Sequence, residues 1–309
     1  MPAMSAGSNL KRRRNMSKKD TSYWYQRTID QLLITGRSQR TAETYAREIR
    51  ILGRWLDKPL DEVDEEDLRS FILYRRNECK LGGSSMRILY SGLKTLYSEV
   101  MQNKWPLLEV MKSQRETKLP IILSREEVQL IFSSISRPQN MTYLRLVYSC
   151  GLRLSEALNL KPSDIYYKSR GCIHIHGKGS KDRYVPLPNK TYRYIRRYWS
   201  LHQNTEWIFP ALGTSGQNGP KATRPMATST VQAALHRAVK KAGIQKAGIR
   251  VHTLRHCYAT HLLDAGISIK VVQELLGHGS LQQTLVYLHL TNWGKANTHA
   301  KIDQLMKDL

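Results

Sequence analysis

The chain has 309 residues, and its 49 Lys and Arg against 25 Asp and Glu give a formal charge of +24 at neutral pH. That length favours two domains with real cores. A surplus of this size, spread along the chain, points to a polyanion partner, and nucleic acid fits better than an anionic membrane because no basic amphipathic helix with an unbroken apolar face stands out.

Residues 1 to about 20 are polar and basic and read as a disordered arm. The basic run Lys11 to Arg14 with Lys18 and Lys19 is not followed by an apolar stretch, and no segment reaches membrane-spanning length. Cys79, Cys150, Cys172 and Cys257 are scattered with no C-x-x-C pair, so neither a cysteine zinc site nor a disulfide framework is indicated, and a reducing cytoplasm is expected.

Four helices are expected in a first domain over 22–104, near 22–35, 39–56, 65–80 and 85–103. Gly36 stops the first, Pro59 follows the second, the acidic run Asp64 to Asp67 suits an N-terminus, and Gly82-Gly83 precedes the fourth. Arg40, Arg47, Arg50 and Arg54 recur on the second helix, either as a wet face or as phosphate contacts. Residues 105–120, with two prolines and several cations, read as an extended basic linker.

A second domain over 121–309 opens with the capping box Ser124-Arg-Glu-Glu127. Two helices, a strand pair and further helices are expected. Cys172 to His176 and Arg183 to Leu187 are the strands, joined by Gly177-Lys-Gly-Ser-Lys-Asp182. Residues 210–229 form a Gly/Pro/Ser/Thr loop long enough to imply function or mobility. Helices are expected near 230–242, 253–265, 269–276 and 281–288, with a short tail helix over 296–309.

Cleaving a phosphodiester without a metal needs a nucleophile, cations on the non-bridging oxygens and an acid for the leaving oxygen. In Gly151-Leu-Arg-Leu-Ser-Glu156, Glu156 stands three residues after Arg153 and can hold its guanidinium. Lys178 lies between two glycines at the hairpin tip. His252-Thr-Leu-Arg-His256 puts His252 and Arg255 on one helical face. His278 follows Gly277 where a helix can stop. Tyr287 sits roughly 130° round from the stripe of Leu281, Leu285 and Leu288, so its hydroxyl is not obviously committed to the packing surface. Each element alone has a bland counterpart: a surface ion pair, a solvated turn lysine, a structural histidine, a helix-stop histidine, one tyrosine among sixteen.

Together and in this order, GLRLSE, GKGSKDR, HTLRH, LLGH and a tyrosine nine residues on, the motifs resemble those of the tyrosine recombinase, or phage integrase, family. The likeness spans the second domain and extends less specifically to the first. It implies a mainly α fold with a small antiparallel β-sheet, built from a helical core-binding domain and a mixed α/β catalytic domain. It further implies that Arg153 and Arg255 clamp the scissile phosphate and Lys178 is the general acid. His252 and His278 would bind the phosphate or manage the tyrosine proton, and Tyr287 would form a 3′-phosphotyrosyl link, with Glu156 and His256 in support. No cofactor or metal is expected, because two guanidiniums can neutralise a pentavalent phosphate and the covalent link makes ATP unnecessary.

The implied partner is double-stranded DNA at recombination sites, with self-association to a tetrameric synapse to which the tail helix contributes in cis or in trans. The sequence of 210–229 lacks the extra helix of integron integrases, and the N-terminus leaves no room for a folded arm-binding domain, so a two-domain recombinase is expected. A type IB topoisomerase and a catalytically silent DNA-binding protein are the alternatives.

Overall fold

The computed structural model describes residues 20–56, 58–112, 119–167, 171–177, 182–213, 218–288 and 290. The basic arm, Lys178 and the tail helix expected over 296–309 lie outside the described residues. The chain divides into two compact units, Met1–Lys118 and Leu119–Leu309.

Unit 1 is helical: α1 (Asp20–Ile34), α2 (Gln39–Trp55), α3 (Glu65–Asn77), α4 (Gly83–Lys94) and α5 (Pro106–Val110). The last turns of α4 widen into a π-helix over Thr95–Val100. Asp64 caps α3 and forms a reciprocal capping box with Asp67, which satisfies two otherwise orphan amides. The core gathers Ile49, Leu52, Phe71, Leu89, Leu93 and Tyr97. The first part of the expected extended linker is instead α5, whose Leu107 and Leu108, with Met111 beyond it, are buried in that core. Pro106 at its first turn is compatible with a helix, and three apolar residues within five supply the burial that an extended linker lacks.

Unit 2 begins with α6 (Arg125–Ser133), whose Ser124–Glu127 capping box is formed, then α7 (Pro138–Cys150) and the short α8 (Leu154–Leu158). A 3-10 turn (Pro162–Asp164) leads into a three-stranded antiparallel sheet of β1 (Ile165–Tyr166), β2 (Cys172–Ile175) and β3 (Arg183–Pro186) in that order. Ile173 faces Ile165 on one side and Val185 on the other. Then come α9 (Asn189–Trp199), α10 (Thr228–Lys241), α11 (Val251–Asp264), α12 (Ile269–Leu276) and α13 (Gln282–Leu288). Sequence reading passes over β1 and α9. The buried Thr191, Ile195 and Tyr198 of α9 do recur at helical spacing, but no capping side chain marks its start.

The described part of the loop over 210–229 is pinned. Asn204, buried, donates from Nδ2 to the carbonyls of Gly219 (2.8 Å) and Ala222 (3.0 Å), while its Oδ1 accepts from the amides of Glu206 and Trp207. One long core joins α6, α7, β2, β3, α9, α10 and the inner face of α11. A smaller cluster of Ala259, Leu263, Val272, Leu276 and Tyr287 seats α12 and α13 against α11.

Candidate active site

Two left-handed glycines build the floor of the site. Gly151 (φ 60°) ends α7 and Gly277 (φ 63°) ends α12. At α12 the amide of His278 donates to the carbonyl of Gln273 and that of Gly277 to Glu274, the double closure of a Schellman turn. A Cβ at Gly151 would lie 2.3 Å from the Tyr258 ring, and one at Gly277 would lie 3.0 Å from Arg183. Both positions thus combine a positive φ with a close approach that only glycine accommodates.

These helix ends turn carbonyls toward three guanidiniums. Arg255 donates to the carbonyls of Gly151 and Leu276, each at 2.7 Å; Arg153 donates to Gly277 at 3.0 Å; and Arg183 donates through Nε to Leu275 at 2.9 Å. The partial negative charge at a helix C-terminus favours cations in such places. Glu156 joins the three. Its Oε1 accepts from Arg153 (2.7 Å) and Arg183 (3.0 Å), while its Oε2 accepts from Arg183 (2.8 Å) and the Arg153 amide (2.7 Å). Arg255 Nη1 lies 3.8 Å from the same carboxylate. Burial works to raise the Glu156 carboxyl, but the hydrogen bonds and charges of Arg183 and Arg153 outweigh it and hold it at about 2.

Among the described residues this single carboxylate faces three guanidiniums, so a surplus of two positive charges stays uncompensated by side chains. Arg255 is 1% exposed and its Nε has no hydrogen-bond partner among the described residues. Burial and the Arg153 charge pull its guanidinium down to about 10. A cation cluster in which Arg183 and Arg255 are buried and Arg153 is half-buried, with surplus charge and a spare donor, is suited to an anion.

Over this floor lie four aromatic rings. His252 meets His256 edge-on at 4.4 Å between centroids, His256 meets Tyr287 at 5.5 Å, and His278 lies nearly parallel to Tyr287 at 6.1 Å. Tyr287 Oη is 2.8 Å from His256 Nδ1, and His278 Nδ1 is 2.9 Å from Thr284 Oγ1. Burial, then the neighbouring Arg255 and Arg153, lowers His252 and takes His278 down to about 4; burial, then His252 and Arg255, does the same for His256. At about 4, His256 and His278 are neutral at pH 7. Burial raises the Tyr287 hydroxyl, and Arg255 and Arg153 oppose that rise.

The orientation of α13 is the reverse of the expected one. Tyr287 is buried at 3% exposure, whereas Leu281 and Leu288 are 41% and 44% exposed. The angular separation holds, but the tyrosine side faces inward, because its ring joins the α11–α12 cluster and its hydroxyl reaches His256. The structure therefore brings together Arg153, Glu156, His252, Arg255, His256, His278 and Tyr287, and Lys178 falls outside the described residues. Arg183 is the residue that motif reading missed. Its side chain is 9% exposed, and a cation opening an otherwise apolar strand was its one local signal.

Residues 121–292 match the phage integrase family, and residues 24–107 match the phage integrase N-terminal SAM-like domain. The chain belongs to the phage integrase family of tyrosine recombinases. It is a tyrosine-type site-specific recombinase, an enzyme that breaks and rejoins DNA. It is 31% identical over 277 residues to a tyrosine recombinase of Thermosipho africanus, covering 86% of this chain and 94% of that one. It is 29% identical over 297 residues to the tyrosine recombinase XerD of Pseudomonas aeruginosa, covering 89% and 95%. Among solved structures, a lambda integrase fragment captured as a dimer on a core site shares the fold with a TM-score of 0.69 at 20% identity, covering 89% of this chain and 96% of that one. No helix among the described residues is long and apolar enough to cross a membrane.

Proposed function

We propose that this recombinase cuts one DNA strand with Tyr287, leaving a 3′-phosphotyrosyl link and a free 5′ hydroxyl, and that reversal onto a partner strand's 5′ hydroxyl completes the exchange. The observation that carries this reading is the Tyr287 hydroxyl, hydrogen-bonded to a neutral histidine beside a cluster of guanidiniums with spare positive charge. With His256 carrying its proton on Nε2, Nδ1 accepts from Tyr287 Oη and can take the proton as the phosphorus is attacked. Arg153 and Arg255 stabilise the extra negative charge of the pentavalent phosphate, with His252 and His278 as further hydrogen-bond partners for its oxygens. Lys178 protonates the leaving 5′ oxygen. Glu156 and Arg183 act as positioning residues that fix the two clamping guanidiniums.

The reading extends to assembly. Four copies act on two duplexes; support comes from lambda integrase, which has been seen as a tetramer bound to a Holliday junction. Exposed Arg40, Arg47, Arg50 and Arg54 on α2 are phosphate contacts in this reading, so binding weakens steeply with salt. An affinity nearly independent of salt, measured by titration at several ionic strengths, would contradict that part.

The chemistry is tested with nicked duplexes that trap the cleaved state, carrying candidate sites from the chromosomal neighbourhood of the gene. A covalent adduct that survives denaturing electrophoresis is expected. It disappears in Tyr287→Phe and falls by at least about 100-fold in Arg255→Ala. An unchanged adduct in Tyr287→Phe would sink the assignment, and adducts on every duplex together with plasmid relaxation would favour a topoisomerase.

A further inference from the structure

We propose that Asp164, His174 and His176, none of which is assigned a part in strand transfer, form a binding site for a divalent cation of the zinc class at the base of the β2–β3 connection. The inference goes beyond the proposed recombination chemistry and does not depend on it. His174 and His176 stand two residues apart on and just beyond β2, where strand alternation sends both side chains to the same face. Their rings approach to 4.4 Å between centroids. Asp164 comes from the end of the 3-10 turn. One ligand atom from each of the three lies within 4.8 Å of the others, and Asp164, His174 and His176 line a cavity of about 160 Å³ together with Ser155, Asn159 and Glu156, the carboxylate that holds the arginine cluster.

The carboxylates are already oriented. Asp164, 6% exposed, has Oδ2 engaged by the Lys161 amide at 2.9 Å, which leaves Oδ1 facing His176 Nε2 at 3.2 Å. Asp182 has Oδ1 engaged by the Gly177 amide at 3.0 Å, which leaves Oδ2 at 3.3 Å from His176 Nδ1 and 3.1 Å from His174 Nε2. With His176 ligating through Nε2, its other nitrogen donates to Asp182, the carboxylate–histidine–metal relay that fixes tautomer and ring angle. His174 is stacked on Tyr184 across the β2–β3 ladder, at 4.9 Å and 23°.

Tetrahedral zinc with bonds of about 2.0–2.2 Å sets its ligands about 3.3–3.6 Å apart. The Asp164–His176 separation of 3.2 Å is close to this, and a His174 ring nitrogen lies within 4.8 Å of both ligand atoms. Two imidazoles and one carboxylate are borderline ligands that suit zinc and its transition-metal neighbours, whereas magnesium and calcium select oxygen cages. A cation held here ties the strand entering residue 177 to the turn before β1, across the base of the connection in which Lys178 stands.

The test uses the full-length, untagged, chelator-treated protein, titrated with zinc sulfate by calorimetry, with magnesium chloride as the contrast. One zinc equivalent is expected, with no heat from magnesium and with a rise in melting temperature. Affinity should fall by more than about tenfold in His176→Gln and in Asp164→Asn. His176 is well exposed, so its variant is expected to fold, and circular dichroism checks this directly. The proposal is overturned if no zinc binds, as for a purely hydrogen-bonded His–Asp network. It is equally overturned if binding survives in a His174→Gln, His176→Gln double variant, as it would at the exposed Cys79.

Discussion

Each unit holds a glutamate against arginine in its interior, with opposite results. In unit 1, Glu48 is 3% exposed and accepts from Arg75 at 2.9 Å, with Arg47 at 3.8 Å. Burial outweighs the two arginines and the carboxyl is raised above its ordinary value. In unit 2, the Glu156 side chain is 8% exposed, yet a two-pronged bond from Arg183 and two bonds from Arg153 overcome desolvation and hold it at about 2. The first arrangement ties α2 to α3. The second keeps one firm anion among three cations, which fixes the guanidiniums and leaves positive charge over. Burying an ion pair does not by itself make a site; the uncompensated surplus does.

The sharpest way to break this contrast is to neutralise each glutamate. Glu156→Gln leaves three guanidiniums with no counter-charge and should destabilise unit 2 by about 3–5 kcal/mol, read as a drop in urea midpoint. A loss no greater than at Glu48 would refute the hub.

Acid should have a smaller effect. His256 and His278 sit at about 4 in the folded chain against about 6.5 for a free imidazole. The unfolded chain therefore binds more protons between those values, and the stability these groups contribute is complete above pH 6.5 and lost as pH falls toward 4. After allowance for partial exposure, the pair should cost about 2 kcal/mol between pH 7 and 5. Thermal melts should show that loss shrinking in a His256→Gln, His278→Gln double variant. Glu156 keeps its charge throughout this window, since its carboxyl titrates near 2.

The smallest effect is expected at Glu48→Gln, within about 1 kcal/mol, because the amide oxygen can still accept from Arg75 and the carboxyl is already pushed toward its neutral form. A loss of several kcal/mol there would show that both glutamates do the same work.

Much of this architecture is written locally. The capping boxes at Asp64 and Ser124 and the glycine stops at Gly151 and Gly277 are short-range signals. The ordered motifs point to the residues that converge at the site. Other features depend on partners far along the chain. Arg183 is defined by Glu156, 27 residues before it, and by the Leu275 carbonyl, 92 residues after it. Periodicity groups Leu281, Leu285 and Leu288 on one face of α13 and Tyr287 on another, but which face turns inward is decided by α11 and α12. The burial of α5 likewise depends on a core supplied by α2, α3 and α4.

Tyr287, held by His256 beside the arginine cluster, is proposed as the residue that becomes joined to DNA. This assignment is tested most directly by trapping the adduct on a nicked duplex, digesting protein and DNA, and locating the nucleotide-bearing peptide by mass spectrometry. A 3′-phosphorylated nucleotide is expected on the peptide containing Tyr287. The same modification on Tyr258 or any other residue, or a 5′ linkage on Tyr287, would contradict it.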